Sequence, residues 1–242
     1  MTGHPGLARE APARGYWRRV GEDVAHELPA LLGANALFLA WCAPAALLLM
    51  VGAIVPAALV ALVTLGPALA GLAAYAGRLA RGEGGRWWQD SVTGVRARSG
   101  TGTVLVALGA GAMVLPVLAL RLAAAQGLTV AIVAVLTVQA LVAAFVVGAC
   151  AHAFGLVGLY GQPAGAALRN AAILVIRHPI ASAGLVGLGL LFMHVAQVFG
   201  WGPLVILPAI LAVCTVHHTR RLVEDAGAII PQPSQERTCP LP

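Results

Sequence analysis

The chain has 242 residues, of which 60% are hydrophobic and 10% are charged, and its mean hydropathy is +0.87. This composition excludes an ordinary soluble globular domain, in which about a quarter of the residues carry charge. The net charge is +6, from fifteen arginines and no lysine, but the arginines cluster at the ends of apolar segments and form no continuous basic stripe. The distribution therefore argues against nucleic-acid binding and predicts a membrane protein.

The first 27 residues are predicted to form a cytoplasmic tail that carries an amphipathic helix. Apolar residues recur there at helical spacing, while charged residues fill the opposite side. Such a helix would lie in the membrane interface with its aromatic rings at headgroup depth. A solvated cytosolic helix is the alternative that this pattern leaves open. The apolar positions are Tyr16, Trp17, Val20, Val24 and Leu28, and the charged ones are Arg18, Arg19, Glu22 and Asp23.

Four windows without any Asp, Glu, Lys or Arg follow, at residues 28–77, 99–120, 122–168 and 179–219. A membrane-spanning helix needs about 20 apolar residues. The windows therefore hold two, one, one and two helices, respectively. The predicted fold is all-α, a polytopic membrane helix bundle of about six transmembrane helices with short cytoplasmic interfacial helices. This transmembrane domain covers residues 28–221, and a disordered cytoplasmic tail is predicted at residues 222–242.

The first window must fold back on itself, and the helix breakers within it are residues 52–56 and 64–67. Either could hold the turn, so the sequence leaves Gly52 and Gly66 as alternatives. We favour a long first helix that either kinks at Pro44 and Pro56 or breaks near Pro56, and a second helix that ends at residues 78–81. Gly66, Ala70 and Ala74 are spaced four apart, which predicts a stripe of small side chains where another helix backbone approaches closely.

Two polar segments are predicted to form interfacial helices on the cytoplasmic face. The first begins within residues 81–90 and places Trp88, Val92 and Val95 on one side. The second covers residues 163–177, with a proline in its first turn. Its high apolar content predicts that it docks against the bundle.

The arginines are distributed asymmetrically between alternate loops. Fourteen of them fall in segments on one side of the predicted membrane, and one falls on the other side. The positive-inside rule therefore places both termini in the cytoplasm. The fourteen are Arg9, Arg14, Arg18, Arg19, Arg78, Arg81, Arg86, Arg96, Arg98, Arg169, Arg177, Arg220, Arg221 and Arg237, and the exception is Arg121.

A set of residues in the amino-terminal half, within about positions 35–98, matches a known family pattern. The set is Asn35, Trp41, Pro44, Thr64-Leu65-Gly66-Pro67-Ala68, Arg78, Arg81-Gly82-Glu83 and Trp88-Gln89-Asp90. Through these residues the chain resembles the YesL-like family of bacterial integral membrane proteins. Two features depart from the family pattern. The stretch before Thr64 is longer, and Ser91 stands where an aromatic residue usually follows the Asp.

This resemblance implies no particular reaction, because the family has no established activity. Its members are often encoded beside carbohydrate ABC-transporter components, which implies a non-enzymatic accessory protein that contacts permease subunits. The family-like residues cluster on the cytoplasmic side, so they are the candidate partner contacts, although Asp90 could instead pair with Arg86 or Arg96. The candidates are Arg78, Arg81, Arg86, Trp88 and Asp90.

The spans carry no carboxylate, and the chain lacks the H-E-x-x-H and G-x-S-x-G motifs. We therefore predict no enzyme, no cofactor and no metal site. Neutral histidines are preferred over a Cys/His metal site at Cys150, His152, Cys214 and His217. The absent carboxylates also argue against a proton- or sodium-coupled transporter. An uncoupled small-solute transporter or channel is the alternative function that the sequence leaves open, and a homo-oligomer is also open. The candidate polar path of such a transporter is Gln139, His152, His194 and Gln197.

Overall fold

The computed structural model describes residues 21–22, 24–83, 86–127, 129–199 and 202–226. From Leu28 onward, the described secondary structure is entirely helical, which confirms the all-α class. The two terminal tails predicted from the sequence lie largely outside these residues. The helices are α1 (Leu28–Met50), α2 (Ile54–Ala80), α3 (Trp87–Gln126), α4 (Val130–Tyr160), α5 (Ala164–Arg177), α6 (Pro179–Phe199), a 3-10 helix (Gly202–Val205) and α7 (Leu207–Asp225).

The turn between the first two helices lies at Gly52, which has a φ of +78°. Residues with a side chain rarely adopt this angle, so glycine suits the position. Helix α1 ends at Met50, and α2 begins at Ile54 and ends at Ala80, beside the arginines. The alternative turn at Gly66 is wrong, because α2 continues through it and contains Pro67 in its interior. Residues 64–68, on which part of the family resemblance rests, are therefore helical in this protein.

Helix α2 is the most buried helix, and its small residues explain how its neighbours approach it. A Cβ atom on Gly66 would overlap the α3 backbone at Thr103, and one on Gly94 of α3 would lie 2.5 Å from Cβ of Ala74. Ala70 contacts the same region, since a Cβ on Gly102 would lie 3.2 Å from its side chain. The predicted small-residue stripe is thus confirmed as the contact between α2 and α3.

Helix α3 contains both a predicted interfacial helix and a predicted span, joined at a kink. Arg98 has non-helical dihedral angles (φ −130°, ψ 16°) and divides the helix. In the first segment Asp90, Ser91 and Val95 are buried against the bundle. Helix α5 matches the second predicted interfacial helix, and its buried Ala171 belongs to an apolar cluster with α4, so the predicted docking is confirmed.

Six spans were expected, but among the described residues five helices are long and apolar enough to cross a membrane: α1, α2, α3, α4 and α6. Helix α7 fails because its apolar part ends before Arg220, about 20 Å after Leu207, whereas the hydrocarbon core is about 30 Å thick. It begins inside the bundle. The buried side chain of Asn35, about 10 Å along α1, donates a hydrogen bond of 2.7 Å to the carbonyl oxygen of Val205.

The carboxyl ends of α2, α4 and α7 lie together with the beginning of α3. Arg220 of α7 donates to the carbonyl oxygen of Ala80 at the end of α2, and Arg98 of α3 donates to that of Val157 near the end of α4. Leu31 of α1 belongs to the same apolar cluster as Leu79. We call this end of the bundle the basic end, because its arginines meet there.

Candidate functional sites at the basic end

Three arginines tie the helices together at the basic end by donating to backbone carbonyls of other helices. Arg81 donates to the carbonyl oxygens of Leu159 (2.6 Å) and Gly158 (3.4 Å), and Arg98 donates to that of Val157. Arg220 makes the equivalent bond to the end of α2. We call Arg81, Arg98 and Arg220, together with Arg78, the arginine frame.

The frame follows from the chemistry of helix termini. The last four carbonyls of a helix have no partner within the helix, and they carry partial negative charge. A guanidinium group supplies several donors and positive charge at once. Arginines at the ends of α2 and α7 therefore supply donors to end carbonyls of other helices, at Leu159 and Ala80. The Val157 carbonyl that Arg98 reaches from the α3 kink also accepts from the Gly161 N–H.

Arg78 differs from the other members because it pairs with a buried carboxylate. Its guanidinium contacts Asp90, whose side chain is 3% exposed. The sequence suggested Arg86 or Arg96 as the pairing partner, and the structure corrects this to Arg78, which lies one helix away. Glu83 completes the arrangement at 3.5 Å from Arg78 Nε and 3.0 Å from Arg81 Nε. The hydrogen bond from Arg81 lowers the pKa of Glu83 below its usual value.

The outer surface of the first α3 segment presents an aromatic and a basic side chain. Trp88 is 54% exposed and meets the ring of Trp87 edge to face at 5.8 Å. Trp87 in turn covers Gly33 of α1. Arg86 is exposed and donates to Gln89 Oε1 at 3.1 Å.

The five partner-contact candidates from the sequence thus have different roles. Arg78 and Arg81 are half-buried members of the frame, and Asp90 is buried in its ion pair. Arg86 and Trp88 are the two whose side chains face outward.

A polar cavity of 370 Å³ lies inside the frame, between α2, the first α3 segment and the end of α4. Three guanidinium groups and one carboxylate line it, together with a hydroxyl, a side-chain amide and small residues. The lining residues are Ala74, Arg78, Arg81, Gln89, Asp90, Thr93, Gly94, Ala97, Arg98 and Gly158.

A second polar cluster joins three helices deeper in the bundle. The ring of His152 on α4 is fully buried, with Nδ1 3.0 Å from Thr219 Oγ1 on α7 and Nε2 3.1 Å from Ser182 Oγ on α6. His218 stacks on it at 5.7 Å. A neutral imidazole donates with one nitrogen and accepts with the other, and a hydroxyl complements either role. We call His152, Ser182 and Thr219 the histidine clamp.

The sequence identified His152 as an intramembrane polar residue but missed both partners. Ser182 and Thr219 lie 30 and 67 residues away, so no local spacing signals them. Gly155 leaves the space for Thr219, because a Cβ there would lie 2.5 Å from its hydroxyl oxygen.

The four residues of the proposed polar path do not come together. His194 and Gln197 are exposed on the surface of α6, whereas His152 is buried in the clamp. Gln139 lies thirteen residues before His152 on α4, a separation of about 20 Å.

The space beside α7 is apolar. A cavity of 260 Å³ lies between α2, α4, α6 and α7, with the Thr215 hydroxyl among aliphatic and aromatic side chains. Such a lining suits hydrocarbon better than an ion or a sugar.

The described residues contain no group of three or more His, Cys, Asp or Glu that could hold a metal ion. Cys42, Cys150 and Cys214 are free thiols, and Cys239 lies outside the described residues.

The chain matches no protein-family model, and comparisons with curated proteins and with solved structures found no similar chain. The geometry of the basic end is therefore the basis of the functional proposal.

Proposed function

We propose that this membrane protein is a non-enzymatic accessory subunit that binds a membrane complex through the outward face of the first α3 segment. The observation that supports this proposal best is the exposed pair Trp88 and Arg86, presented on a segment that contacts both α1 and α2. Tryptophan and arginine are the residue types most enriched at the energetic centres of protein interfaces.

The anchoring of this segment to two other helices supports the proposal. Asp90 anchors the segment to α2 through Arg78, and Trp87 anchors it to α1 by packing on Gly33. A preorganised surface loses less conformational entropy on binding than a mobile one. Trp88 and Arg86 therefore need little reordering to engage a partner.

The location we propose is the bacterial cytoplasmic (inner) membrane, with the basic end and both termini in the cytoplasm. The bilayer itself is one partner, because large apolar side chains such as Met50 and Val130 are more than three-quarters exposed. The positive-inside rule supports the orientation, since the frame arginines gather at one end of the bundle.

The resemblance to the YesL-like family suggests which complex is involved. We propose a permease subunit of a carbohydrate ABC importer as the protein partner. This choice rests on association with the family alone. The contact surface rests on the exposed residues and is independent of the partner's identity.

The experiment is affinity purification of the tagged protein from its native membrane in mild detergent, followed by crosslinking and mass spectrometry. We compare the wild type with the double variant Arg86→Glu/Trp88→Ala. The matched control is Arg177→Glu, which reverses an exposed arginine on α5 at the same end of the bundle. Arg78 and Arg81 are left unchanged, because they are structural members of the frame.

We expect a permease crosslinked near residues 86–89 in the wild type and the control, and at least a tenfold loss in the double variant. Equal recovery from all three proteins would reject this contact surface. Recovery of the protein alone or as a homo-oligomer would reject the accessory role. Solute uptake by liposomes that contain the purified protein alone would then establish the alternative, an uncoupled transporter.

A further inference from the structure

We propose that the polar cavity inside the arginine frame binds a phosphate-type oxyanion, with Arg98 as the principal contact. This goes beyond the partner surface, which uses outward-facing residues of the same segment. The proposal depends on three features of the cavity: its charge balance, its free donors and its location.

The first feature is an excess of positive charge. Arg78 is paired with Asp90, and Arg81 with Glu83. Arg98 also lines the cavity, but among the described residues no carboxylate contacts it, and its protein partner is the carbonyl oxygen of Val157. A carbonyl offers partial charge only, so a half-buried guanidinium without a counter-ion gains from an anion.

The second feature is the supply of unused hydrogen-bond donors. A guanidinium has five N–H groups, and the described structure uses one of those on Arg98. The Thr93 hydroxyl and the Gln89 amide line the same cavity. Planar arginine donors match the geometry of phosphate oxygens, which makes phosphate the favoured class of anion.

The third feature is size and position. A volume of 370 Å³ holds roughly a dozen waters at about 30 Å³ each, which is enough for a phosphate group. The cavity lies at the basic end of a membrane bundle, where anionic lipid headgroups collect on basic residues. The phosphate could therefore belong to an anionic lipid or to a soluble phosphate compound, and the experiment must distinguish these sources.

The test variant is Ala97→Glu, and its matched control is Ala97→Gln. Ala97 lines the cavity and is exposed, so it tolerates a longer side chain. The two variants have nearly the same size and differ by one negative charge, which would neutralise the excess charge beside Arg98. Arg98 itself is left intact because its bond to α4 is structural. Equal melting temperatures for the two variants in detergent provide the folding control.

Binding is measured on delipidated protein with two probes. Native mass spectrometry counts phosphatidylglycerol bound in competition with phosphatidylcholine, and calorimetry measures inorganic phosphate. We expect the wild type and Ala97→Gln to bind at least one probe, and Ala97→Glu to bind it about tenfold more weakly. The probe that shows this difference identifies the source of the phosphate.

Two results would overturn the proposal: binding of neither probe by the wild type, or equal binding by the two Ala97 variants. The outcome is separable from that of the partner experiment. Arg86→Glu/Trp88→Ala leaves Arg98, Thr93 and Ala97 intact, and loss of the permease crosslink in that variant says nothing about the oxyanion.

Discussion

The two ends of the bundle are built differently. Near the basic end, Tyr75 and Leu156 are at most 1% exposed. At the opposite end, Met50, Val130 and Phe199 are 80%, 88% and 73% exposed. Hydrocarbon solvates apolar side chains as well as a neighbouring helix does, so apolar side chains alone do not hold membrane helices together. The contacts that determine helix positions are therefore the close backbone approaches, the arginine frame and the histidine clamp of the basic half.

Substitution at one of the closest helix crossings gives the largest effect expected from this comparison. A Cβ on Gly158 would overlap the carbonyl oxygen of Ala73, where α4 crosses α2. We expect Gly158→Ala to destabilise the protein by about 3 kcal/mol, because neither backbone can yield easily. Gly111→Ala is the control, since a Cβ there has no atom within 4 Å and alanine favours the helix. Thermal unfolding in detergent should separate the two, and equal melting temperatures would contradict the model of helix packing.

Removal of the histidine clamp should have the next largest effect. His152→Leu leaves the buried hydroxyls of Ser182 and Thr219 without their partner, which costs about 2 kcal/mol. His194→Leu makes the same chemical change on the exposed surface of α6 and should change stability by less than about 0.5 kcal/mol. Denaturant unfolding in mixed micelles measures both. A large loss of stability in His194→Leu with none in His152→Leu would contradict the structural role of the histidine clamp.

The smallest expected effect is the difference in coupling energy between two ion pairs at the basic end. A double-mutant cycle on Arg78 and Asp90 should give a coupling of about 1–2 kcal/mol, because the carboxylate is buried. The same cycle on Arg220 and Glu224, an exposed pair four residues apart, should give about 0.3–0.5 kcal/mol. Added salt should weaken the second coupling more than the first. Equal couplings would mean that Asp90 is solvated.

Several contacts could be predicted from local patterns. The stripe of Gly66 and Ala70 signals a close helix approach through its spacing alone, and the structure confirms it. The division of the last apolar window could not be predicted in this way. Its length allows two spans, but Asn35 binds the Val205 carbonyl from another helix, and α7 consequently begins inside the bundle.

The contacts of the candidate site could likewise be predicted only in part from the sequence. Residue type and position marked Arg78 and Asp90 as functional candidates, but the sequence suggested Arg86 or Arg96 as the partner of the carboxylate. The choice of Arg78 depends on how α3 returns along α2. Likewise, the sequence contains an arginine at residue 98 but gives no sign that a kink there would aim it at Val157 of α4.

The sequence by itself determined the environment, the helical class and the distribution of charge, because hydropathy and charge act residue by residue against lipid and water. Only the tertiary structure decided which carbonyls the arginines satisfy, which hydroxyls bind His152, and how far α7 extends. Those contacts join residues far apart in the chain, and their energies depend on distances of a few ångströms that no local pattern encodes.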